Sequence, residues 1–389
     1  MIEKLSIYFI LLLVLPDIYI YKLYIKKHVA SGRGRELWFV PSAVLLLGLL
    51  WILLFSRGGH GGQAFIGAFV IAYLAVALPK VVFSLCSLVD LPVRRLLKLH
   101  SHPFAWLGVV AGAATMLVIL YGTFLGRKQF EVKQVVFASP DLPAAFDGYR
   151  VVQISDIHAG SWRGDRESLQ KAVDLVNAQQ ADLIVFTGDL VNNMAMELDP
   201  VQDILAGFKA PDGVYSVLGN HDYSPYHHWE NEKARWENLK ELKKRQSAMG
   251  WHLLDNRHVK LHRGTDSIAL VGVGDDGGRM LPRYSDLKLA MLGTEKTSFK
   301  LLLSHTPTHW HREVLATDVD LTLSGHTHAM QFALGRLSPS ALLYPEWSGL
   351  YTRGKQGLYV NVGLGYIGLM PLRFGAWPEV TVITLKKTY

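Results

Sequence analysis

Cysteine is almost missing from this sequence, since Cys86 is the only one among 389 residues. The chain therefore cannot form an internal disulfide, and cysteine usage says nothing about the compartment in which the protein works. The sequence also lacks internal repeats, low-complexity tracts and long linkers. Domain boundaries must therefore be sought in the distribution of hydrophobic and charged residues.

Charged residues are missing from long stretches of the first third of the chain. Four apolar runs occupy residues 5–21, 37–55, 64–89 and 104–126. The second and fourth contain no charged side chain over 19 and 23 residues, enough for a helix to cross the hydrocarbon core of a bilayer. The first contains Pro16 and Asp17 and the third contains Lys80, so we expect these two to face other helices or to reach toward the interface. The sequence predicts an α-helical membrane region of four spans over residues 1–130.

Two other interpretations of these runs explain less of the sequence. A soluble helical bundle would need a polar face on each helix, and these segments have too few polar residues to form one. A cleaved signal peptide accounts only for the first run, which is not followed by a small-residue cleavage pattern.

Excess positive charge is missing from the rest of the chain. Residues 1–135 carry 14 Lys and Arg against 5 Asp and Glu, whereas residues 136–389 carry 26 against 28. The overall net charge of +7 therefore belongs to the membrane region. A near-neutral second part argues against nucleic acid as a partner, because binding to phosphate backbones depends on clustered positive charge.

The basic residues of the first third alternate from loop to loop. Five follow the first span and three lie between the third and fourth: Lys22, Lys26, Lys27, Arg33 and Arg35, then Arg94, Arg95 and Lys98. Only Arg57 separates the second and third spans, so the positive-inside rule places the first and third loops in the cytoplasm. Three basic residues just after the last span argue against this orientation: Arg127, Lys128 and Lys133. We expect a multi-pass protein of a bacterial inner or cell membrane, with its second part extracytoplasmic.

From about Val135, short apolar runs alternate with amphipathic or loop segments, as in a layered α/β domain. Helices are predicted over "RESLQKAVDLVNAQQ" and "HHWENEKARWENLKELKKRQSAMG". Five apolar runs end in potential metal ligands: "YRVVQISDIH", "ADLIVFTGDL", "GVYSVLGNHD", "FKLLLSHTP" and "VDLTLSGHTH". Because strands of α/β sheets point their carboxyl ends at the ligand crevice, we expect these side chains to meet at one edge.

The ordered set of motifs resembles the calcineurin-like metallophosphoesterases of the YkuE/YaeI type, including transmembrane members. The motifs that carry the resemblance are Asp156/His158, Gly188/Asp189, Gly219/Asn220/His221/Asp222, His305 and Gly325/His326/His328. Further matches are "LVGVGD" and the tail "LYVNVGLGYIG" with "PLRFGAWPEVTVITL". The resemblance covers residues 136–389 and implies an αββα sandwich of two mixed sheets flanked by helices, with two divalent metals at the sheet edge.

The resemblance also implies a ligand set for each metal. One metal would be held by Asp156, His158, Asp189 and His328, and the other by Asp189, Asn220, His305 and His326, with Asp189 bridging. Two adjacent cations can lower the pKa of a shared water and neutralise charge on the attacked phosphoryl group. The mixture of imidazole, carboxylate and amide suits Mn, Fe or Zn better than Mg or Ca.

Two positions near the motifs bear on catalysis and access. His221 is the expected acid that protonates the leaving oxygen. In many relatives an aspartate orients that histidine, whereas here the position is Asn192, whose amide oxygen can accept the ring N–H without lending charge. Ala329 and Met330 stand where relatives of this type commonly have two glycines, so we expect their bulk to narrow access to the site.

Several other polar residues are interpreted as structural. His309 and His311 have ligand chemistry, but the seven ligands already complete the set, so surface or substrate-rim roles are favoured. Asp275 and Asp276 end another apolar run, and a glycine-rich turn is the favoured interpretation.

The sequence therefore predicts a membrane-anchored, metal-dependent phosphoesterase. We expect it to hydrolyse a phosphomonoester, phosphodiester or pyrophosphate bond by attack of metal-bound hydroxide. We also expect the substrate to be lipid-linked or part of the envelope. The alternative is a non-catalytic membrane sensor or scaffold that retains the metals. Only Asp17 and Lys80 favour a transport role for the spans. We therefore expect the spans to anchor the protein in the membrane.

Overall fold

A computed structural model describes residues 2–55, 60–98, 100–278, 281–367 and 370–389. The chain forms two compact units: Met1–Leu125 with Leu369–Leu372, and Gly126–Gly368 with Arg373–Tyr389. Arg57, on which the predicted orientation partly rests, lies outside the described residues.

The first unit is helical. Its helices are α1 (Ile2–Ile20), α2 (Lys26–His28), α3 (Gly32–Leu37), α4 (Val40–Phe55), α5 (His60–Leu97) and α6 (Pro103–Phe124), and a π-helical turn over Tyr21–Ile25 joins α1 to α2. Four stretches are long and apolar enough to cross a membrane: Ser6–His28, Gly32–Phe55, Phe65–Leu97 and Pro103–Lys128. The four predicted membrane helices are thus confirmed.

A buried ion pair links three helices of this unit. Lys80 Nζ on α5 lies 2.6 Å from Asp17 Oδ1 on α1 and 3.1 Å from Ser42 Oγ on α4. The side chain of Asp17 is only 3% exposed, and Lys80 also lies over the ring of Trp38. The two charged residues therefore face other helices, where each neutralises the other in an apolar medium.

The second unit contains two six-stranded sheets. Its strands are β1 (Glu131–Ser139), β2 (Arg150–Ile154), β3 (Leu183–Phe186), β4 (Val214–Ser216), β5 (Trp251–Leu253), β6 (Arg257–Arg263), β7 (Asp266–Gly272), β8 (Lys300–Leu303), β9 (Leu321–Ser324), β10 (Gly349–Arg353), β11 (Gln356–Val360) and β12 (Glu379–Lys387). The strand orders are β1-β12-β2-β3-β4-β5 and β10-β11-β9-β8-β7-β6, and both sheets mix parallel and antiparallel pairs.

The two sheets pack face to face, with helices outside them. Val151 and Val185 of one sheet share a buried core with Leu270 and Leu303 of the other. The helices of this unit are α7 (Arg166–Asn177), α8 (Gln202–Leu205), α9 (Glu232–Ala248), α10 (Leu287–Met291) and α11 (Thr308–Arg312). The amphipathic α7 buries its apolar side against the first sheet. The predicted sandwich of two mixed sheets flanked by helices is confirmed.

One helix begins later than its sequence suggests. The predicted helix starts near His227, but α9 begins at Glu232. Asn231 caps it by accepting a hydrogen bond from the backbone N–H of Ala234 at 2.9 Å, so the preceding residues are free to form a loop.

Strand register brings the motif loops to a common level. Ile154 at the end of β2 pairs with Phe186 at the end of β3, which in turn pairs with Ser216 at the end of β4. In the second sheet, Leu303 at the end of β8 pairs with Leu323 near the end of β9. Because these neighbours are parallel, the loops that follow them leave the same edge of each sheet.

Candidate metal centre

The seven side chains predicted as metal ligands lie together in the second unit. They stand on loops that follow five strands: Asp156 and His158 after β2, Asp189 after β3, Asn220 after β4, His305 after β8, and His326 and His328 after β9. Most residues of these five strands are buried, so the core fixes the position of the first polar residues in each loop.

Four of these side chains form a first group: Asp156, His158, Asp189 and His328. One ligand-type atom from each lies within 4.8 Å of the others, and all four residues are buried. His328 Nε2 is 3.0 Å from Asp156 Oδ1 and 3.0 Å from His158 Nε2. Such close nitrogen and oxygen atoms, turned toward one another away from water, match the donor set of a transition-metal site.

A second group adjoins the first through Asp189. Asn220 Oδ1 lies 2.8 Å from His326 Nδ1 and 3.1 Å from His305 Nε2. Asp189 Oδ2 lies 3.3 Å from His305 Nε2 and 3.7 Å from His158 Nε2. A single carboxylate oxygen of Asp189 is therefore within reach of both groups.

The backbone at the site is strained. Five of the seven residues have positive φ angles between 48° and 73°: Asp156, His158, Asp189, His326 and His328. Left-handed conformations are unfavourable for residues with a side chain, and they concentrate where function requires a particular geometry. Gly188 has a φ of 99°, and a Cβ there would lie 2.7 Å from His305 Nδ1, so this position needs glycine.

Hydrogen bonds outside the two groups fix the ring of His305 and the Asp189 loop. His305 Nδ1 lies 2.8 Å from the carbonyl of Thr187, which directs Nε2 toward the other side chains. The buried carboxylate of Asp222 accepts backbone N–H groups from Gly219, Asp189, Leu190 and Val191. It thereby joins the loops after β3 and β4.

Electrostatics leave two of the histidines neutral and one charged. Burial lowers the pKa of His158 well below its usual range, and burial together with the nearby His305 lowers the pKa of His326 to about 3. Burial alone would also lower the pKa of His305, but the carboxylates of Asp189, Asp156 and Asp275 outweigh it and hold that pKa well above its ordinary value. Neutral rings carry the free lone pair that a metal ligand needs.

His221 stands beside the groups, and its expected partner contacts it in a different way. Its backbone N–H donates to Asp189 Oδ1 at 2.8 Å, and its ring Nδ1 is 2.7 Å from the main-chain carbonyl of Asn192. The prediction that the side-chain amide of Asn192 orients the ring was therefore wrong. The side-chain Nδ2 of Asn192 lies toward Gly160, while its backbone N–H is held by Glu197 at 2.7 Å.

Three residues at the site were not predicted. Tyr344 places its hydroxyl 2.9 Å from His326 Nε2, and Tyr226 accepts a hydrogen bond from Asn220 Nδ2 at 2.9 Å. Both tyrosines lie outside the motif residues, Tyr226 in the connection after β4 and Tyr344 in the connection after β9, so no sequence signal pointed to them. Arg373 lies in the quoted tail "PLRFGAWPEV", which suggested the family but gave the arginine no role.

Arg373 is fully buried and holds the ring of His328. Its guanidinium donates to the carbonyls of Gly365, Val362 and Ala376, and its Nη2 lies 3.0 Å from His328 Nδ1. A guanidinium only donates hydrogen bonds, so Nδ1 accepts and the opposite nitrogen, Nε2, is turned toward Asp156. Burial lowers the pKa of Arg373 to about 10, which still leaves it charged at neutral pH.

Comparisons with known proteins agree with this geometry. Residues 149–330 match the family described as calcineurin-like phosphoesterase, and residues 3–127 match the transmembrane domain of probable calcineurin-like phosphoesterases. Metallophosphoesterase YkuE of Bacillus subtilis is 31% identical over 277 residues, which cover 69% of this chain and 90% of that protein. The chain belongs to the calcineurin-like metallophosphoesterase family.

Two further relatives carry more specific names. A transmembrane protein with metallophosphoesterase domain from Danio rerio is 34% identical to this chain. The match covers 72% of this chain and 62% of the relative, so the chain spans less than two thirds of that protein. The UDP-2,3-diacylglucosamine pyrophosphatase LpxG of Chlamydia trachomatis is 28% identical, over 72% of this chain and 98% of the relative.

One interpretation of the polar residues was wrong and another was incomplete. His309 is not at the surface or rim, because it is fully buried and contacts Ser304 Oγ at 2.8 Å and Glu313 at 3.1 Å. Asp275 does more than form a turn: it is buried and accepts a hydrogen bond from Thr306 Oγ1 at 2.7 Å. That contact supports the loop of His305 from behind.

Ala329 and Met330 of this metallophosphoesterase both lie in the left-handed region, with φ angles of 50° and 47°. Ala329 is fully buried and packs against Ala333, Val362 and Ala376. The side chain of Ala329 therefore lies in a small apolar cluster. Glycine adopts such φ angles without the strain that Ala329 and Met330 carry.

Met330→Gly is expected to stabilise the protein by about 0.5–1 kcal/mol, because glycine relieves left-handed strain that exceeds its own entropic cost. Ala329→Gly is expected to stay near the wild type, since it also removes a buried methyl worth about 0.8 kcal/mol. Thermal unfolding of both variants tests this, with Ala333→Gly as a control that removes a buried methyl and adds the entropic cost of glycine at a residue without a positive φ. A Met330→Gly protein that melts below the wild type contradicts the strain argument.

Proposed function

We propose that this protein is a dinuclear-metal phosphoesterase. Asp156, His158, Asp189 and His328 would hold one divalent metal, and Asp189, Asn220, His305 and His326 the other. The observation that carries the proposal is the position of Asp189, whose carboxylate lies within 3.7 Å of the nearest histidine of each group. The donor set of imidazole, carboxylate and amide suits Mn, Fe or Zn.

The neighbourhood of the two groups fits bound cations. Ligand-type atoms face one another at short distances in a buried place, and His158 and His326 are neutral. When bound, two cations supply a low-pKa water and neutralise charge on a phosphoryl group. Hydrogen bonds on the far side of the rings orient them: the carbonyl of Thr187 contacts Nδ1 of His305, and Arg373 contacts Nδ1 of His328.

His221 is the proposed proton donor to the leaving oxygen. Its Nδ1–H donates to the main-chain carbonyl of Asn192, which leaves Nε2 to carry the proton that is transferred. The carbonyl fixes the tautomer and the ring orientation without adding a full negative charge. Its backbone N–H also donates to Asp189, so this hydrogen bond joins the loop of the acid to the loop of the shared carboxylate.

His221→Ala should lower kcat more for poor leaving groups than for good ones. An alkyl alcohol needs protonation to leave, so we expect a loss of about 10²–10⁴-fold on alkyl phosphates. A p-nitrophenolate leaves without a proton, so the loss on p-nitrophenyl phosphate should be much smaller. Rates on a series of leaving groups provide the measurement. An equal loss across the series argues against the acid role, and metal content, measured in parallel, reports any indirect effect on the site.

Metal binding should release protons and weaken as the pH falls. His305 has a raised pKa in the metal-free protein, so its ring is protonated near neutral pH and must lose that proton to act as a ligand. Affinity is expected to fall about tenfold for each unit of pH below that pKa. Calorimetric titration with Mn²⁺ in buffers of different ionisation enthalpy measures the released protons. Identical apparent enthalpies in all buffers would contradict the prediction.

The function itself is tested on the full-length protein in detergent. Wild type supplied with Mn²⁺, Fe²⁺ or Zn²⁺ is expected to hydrolyse p-nitrophenyl phosphate or its bis ester, and chelation should remove the activity. The rival interpretation is a sensor or scaffold that keeps the metals without catalysis. Stoichiometric metal with no hydrolysis of either ester, a pyrophosphate or an alkyl phosphate would favour that rival.

We further propose that the substrate is lipid-linked and contains a phosphate ester or pyrophosphate bond. The four membrane helices support this, because an anchored site meets membrane-bound substrates at high effective concentration. The name of the Chlamydia trachomatis relative, UDP-2,3-diacylglucosamine pyrophosphatase, supports it as well. A screen of phospholipid, nucleotide-sugar and isoprenoid-phosphate substrates tests the choice.

The proposed location of the catalytic part is outside the cytoplasm of a bacterial cell. Lys22, Lys26 and Lys27 lie at the end of the first span, and Arg94 and Arg95 lie at the end of the third, which favours a cytoplasmic position for the loops that follow them. A carboxy-terminal reporter that is active only outside the cytoplasm is expected to be active. A reporter active only in the cytoplasm reverses the orientation.

A further inference from the structure

An apolar segment with unusual exposure adjoins the candidate metal centre. Between Phe332 and Pro345 the chain carries four leucines whose exposed fractions are large: Leu334 56%, Leu337 74%, Leu342 87% and Leu343 60%. We call residues 332–345 the leucine loop. Leaving so much leucine surface in water is unfavourable by about 25 cal/mol per Å², so it implies that something covers it.

The leucine loop is continuous with the site. It leaves the ligand loop just after Gln331 and returns at Tyr344, whose hydroxyl is 2.9 Å from His326 Nε2. Leu342 and Leu343 immediately precede that tyrosine. A molecule whose phosphate contacts the proposed ligands would therefore have its remaining part beside these two leucines.

Internal hydrogen bonds hold the leucine loop in shape. Ser338 Oγ donates to the carbonyl of Ala329 at 2.7 Å, and the backbone N–H of Tyr344 donates to the carbonyl of Ser340 at 2.9 Å. The side chain of Ser338 also caps the short turn by accepting from the backbone N–H of Ser340 at 3.1 Å. The leucines are thus presented by a turn that these hydrogen bonds hold in place.

The charge of the leucine loop indicates the class of partner. Arg336 is exposed between Leu334 and Leu337, and the segment from 332 to 345 contains no Asp or Glu. A cation set among exposed leucines complements a molecule that carries both negative charge and hydrocarbon.

We propose that the leucine loop binds the acyl chains of an anionic lipid phosphate, the substrate held at the adjacent site. This inference rests on the proposed phosphoesterase function and adds to it the surface that selects an acylated substrate. Leu342 and Leu343 contact the chains next to the reacting phosphate, and Arg336 attracts the negative charge of the lipid.

Photolabelling of the full-length protein tests the proposal directly. The protein is reconstituted in phosphatidylcholine vesicles with Mn²⁺, and a phosphatidate with a diazirine in its acyl chain is activated by light. Peptides that cover residues 332–345 are expected to be labelled at least fivefold more by this probe than by a matched phosphatidylcholine probe. Leu342→Ser with Leu343→Ser should lower that labelling at least tenfold, and Leu289→Ser, at another exposed leucine, should not.

The outcomes separate this inference from the proposed function. Equal labelling by the two probes means that the loop docks on the bilayer, which overturns the proposal. Absence of label in the leucine loop, from a protein that hydrolyses p-nitrophenyl phosphate, also overturns it while the phosphoesterase function stands. A protein that is labelled as expected but hydrolyses no phosphoester retains the lipid site and loses the proposed function. A folding defect in the double variant is recognised by comparing its thermal unfolding with that of Leu289→Ser.

Discussion

Asp189→Ala is expected to lower phosphoesterase activity by at least about 10³-fold and to reduce bound metal from two ions per chain to one or none. Asp189 Oδ2 is the atom within reach of both His158 and His305, so its loss removes a proposed ligand from each metal. Its other oxygen accepts the backbone N–H of His221, so the loop of the proposed acid loses an anchor too. Elemental analysis and steady-state rates on the same preparation provide the measurement.

Two control variants make the Asp189 result specific. Asp189→Asn keeps an acceptor for the His221 N–H but gives up the charge, so it should keep the fold and lose most of the metal affinity. Asp203→Ala removes a carboxylate that is exposed and paired with Arg166, and it should match the wild type in both readouts. An Asp189→Ala protein with full metal content and wild-type rates would overturn the dinuclear proposal.

Arg373→Met is expected to destabilise the second unit by about 3–5 kcal/mol. The guanidinium satisfies the carbonyls of Gly365, Val362 and Ala376 and the Nδ1 of His328, all in a fully buried place. A methionine fills similar space but donates nothing, so those acceptors are left buried without their partner. Because His328 also loses the group that sets its ring, metal affinity should fall together with stability.

The Arg373 result is checked by thermal unfolding and by hydrogen exchange at β12, in full-length protein with and without Mn²⁺. Arg373→Lys keeps the charge but can serve fewer of the acceptors, so we expect it to recover part of both losses. Arg166→Met removes an exposed arginine and should change stability by less than about 1 kcal/mol. A loss for Arg373→Met no larger than that of Arg166→Met would show that the buried guanidinium is dispensable.

The sequence predicted which polar side chains would gather at one edge where those residues come directly after a strand. Apolar runs that end in Asp156, Asp189 or His305 indicate a buried strand followed by a polar loop. Because neighbouring strands are parallel, these loops leave the same edge of the sheet. The four membrane helices were predictable for a similar reason, because length and the absence of charge are properties of one continuous segment.

What sequence could not predict depends on contacts between distant segments. Tyr344 and Tyr226 reach the proposed ligands from loops whose course is set by tertiary packing. The partner of His221 proved to be a peptide carbonyl of Asn192, and main-chain groups are the same in every residue, so no side-chain motif reports them. The burial of His309 likewise follows from the packing of α11.

The place of β12 has a consequence for how the chain folds. β1 stands at the edge of its sheet and pairs with β12. Glu131 can therefore pair with Glu379 only after the residues between them have been synthesised. Pairing across so many residues is slow, because a long loop must close before any contact is gained. During that interval β1, which follows the last membrane helix in the sequence, is an unpaired edge that other chains can join. Its alternating Glu131 and Lys133 place charges on that edge, and we interpret them as protection against aggregation while folding is incomplete.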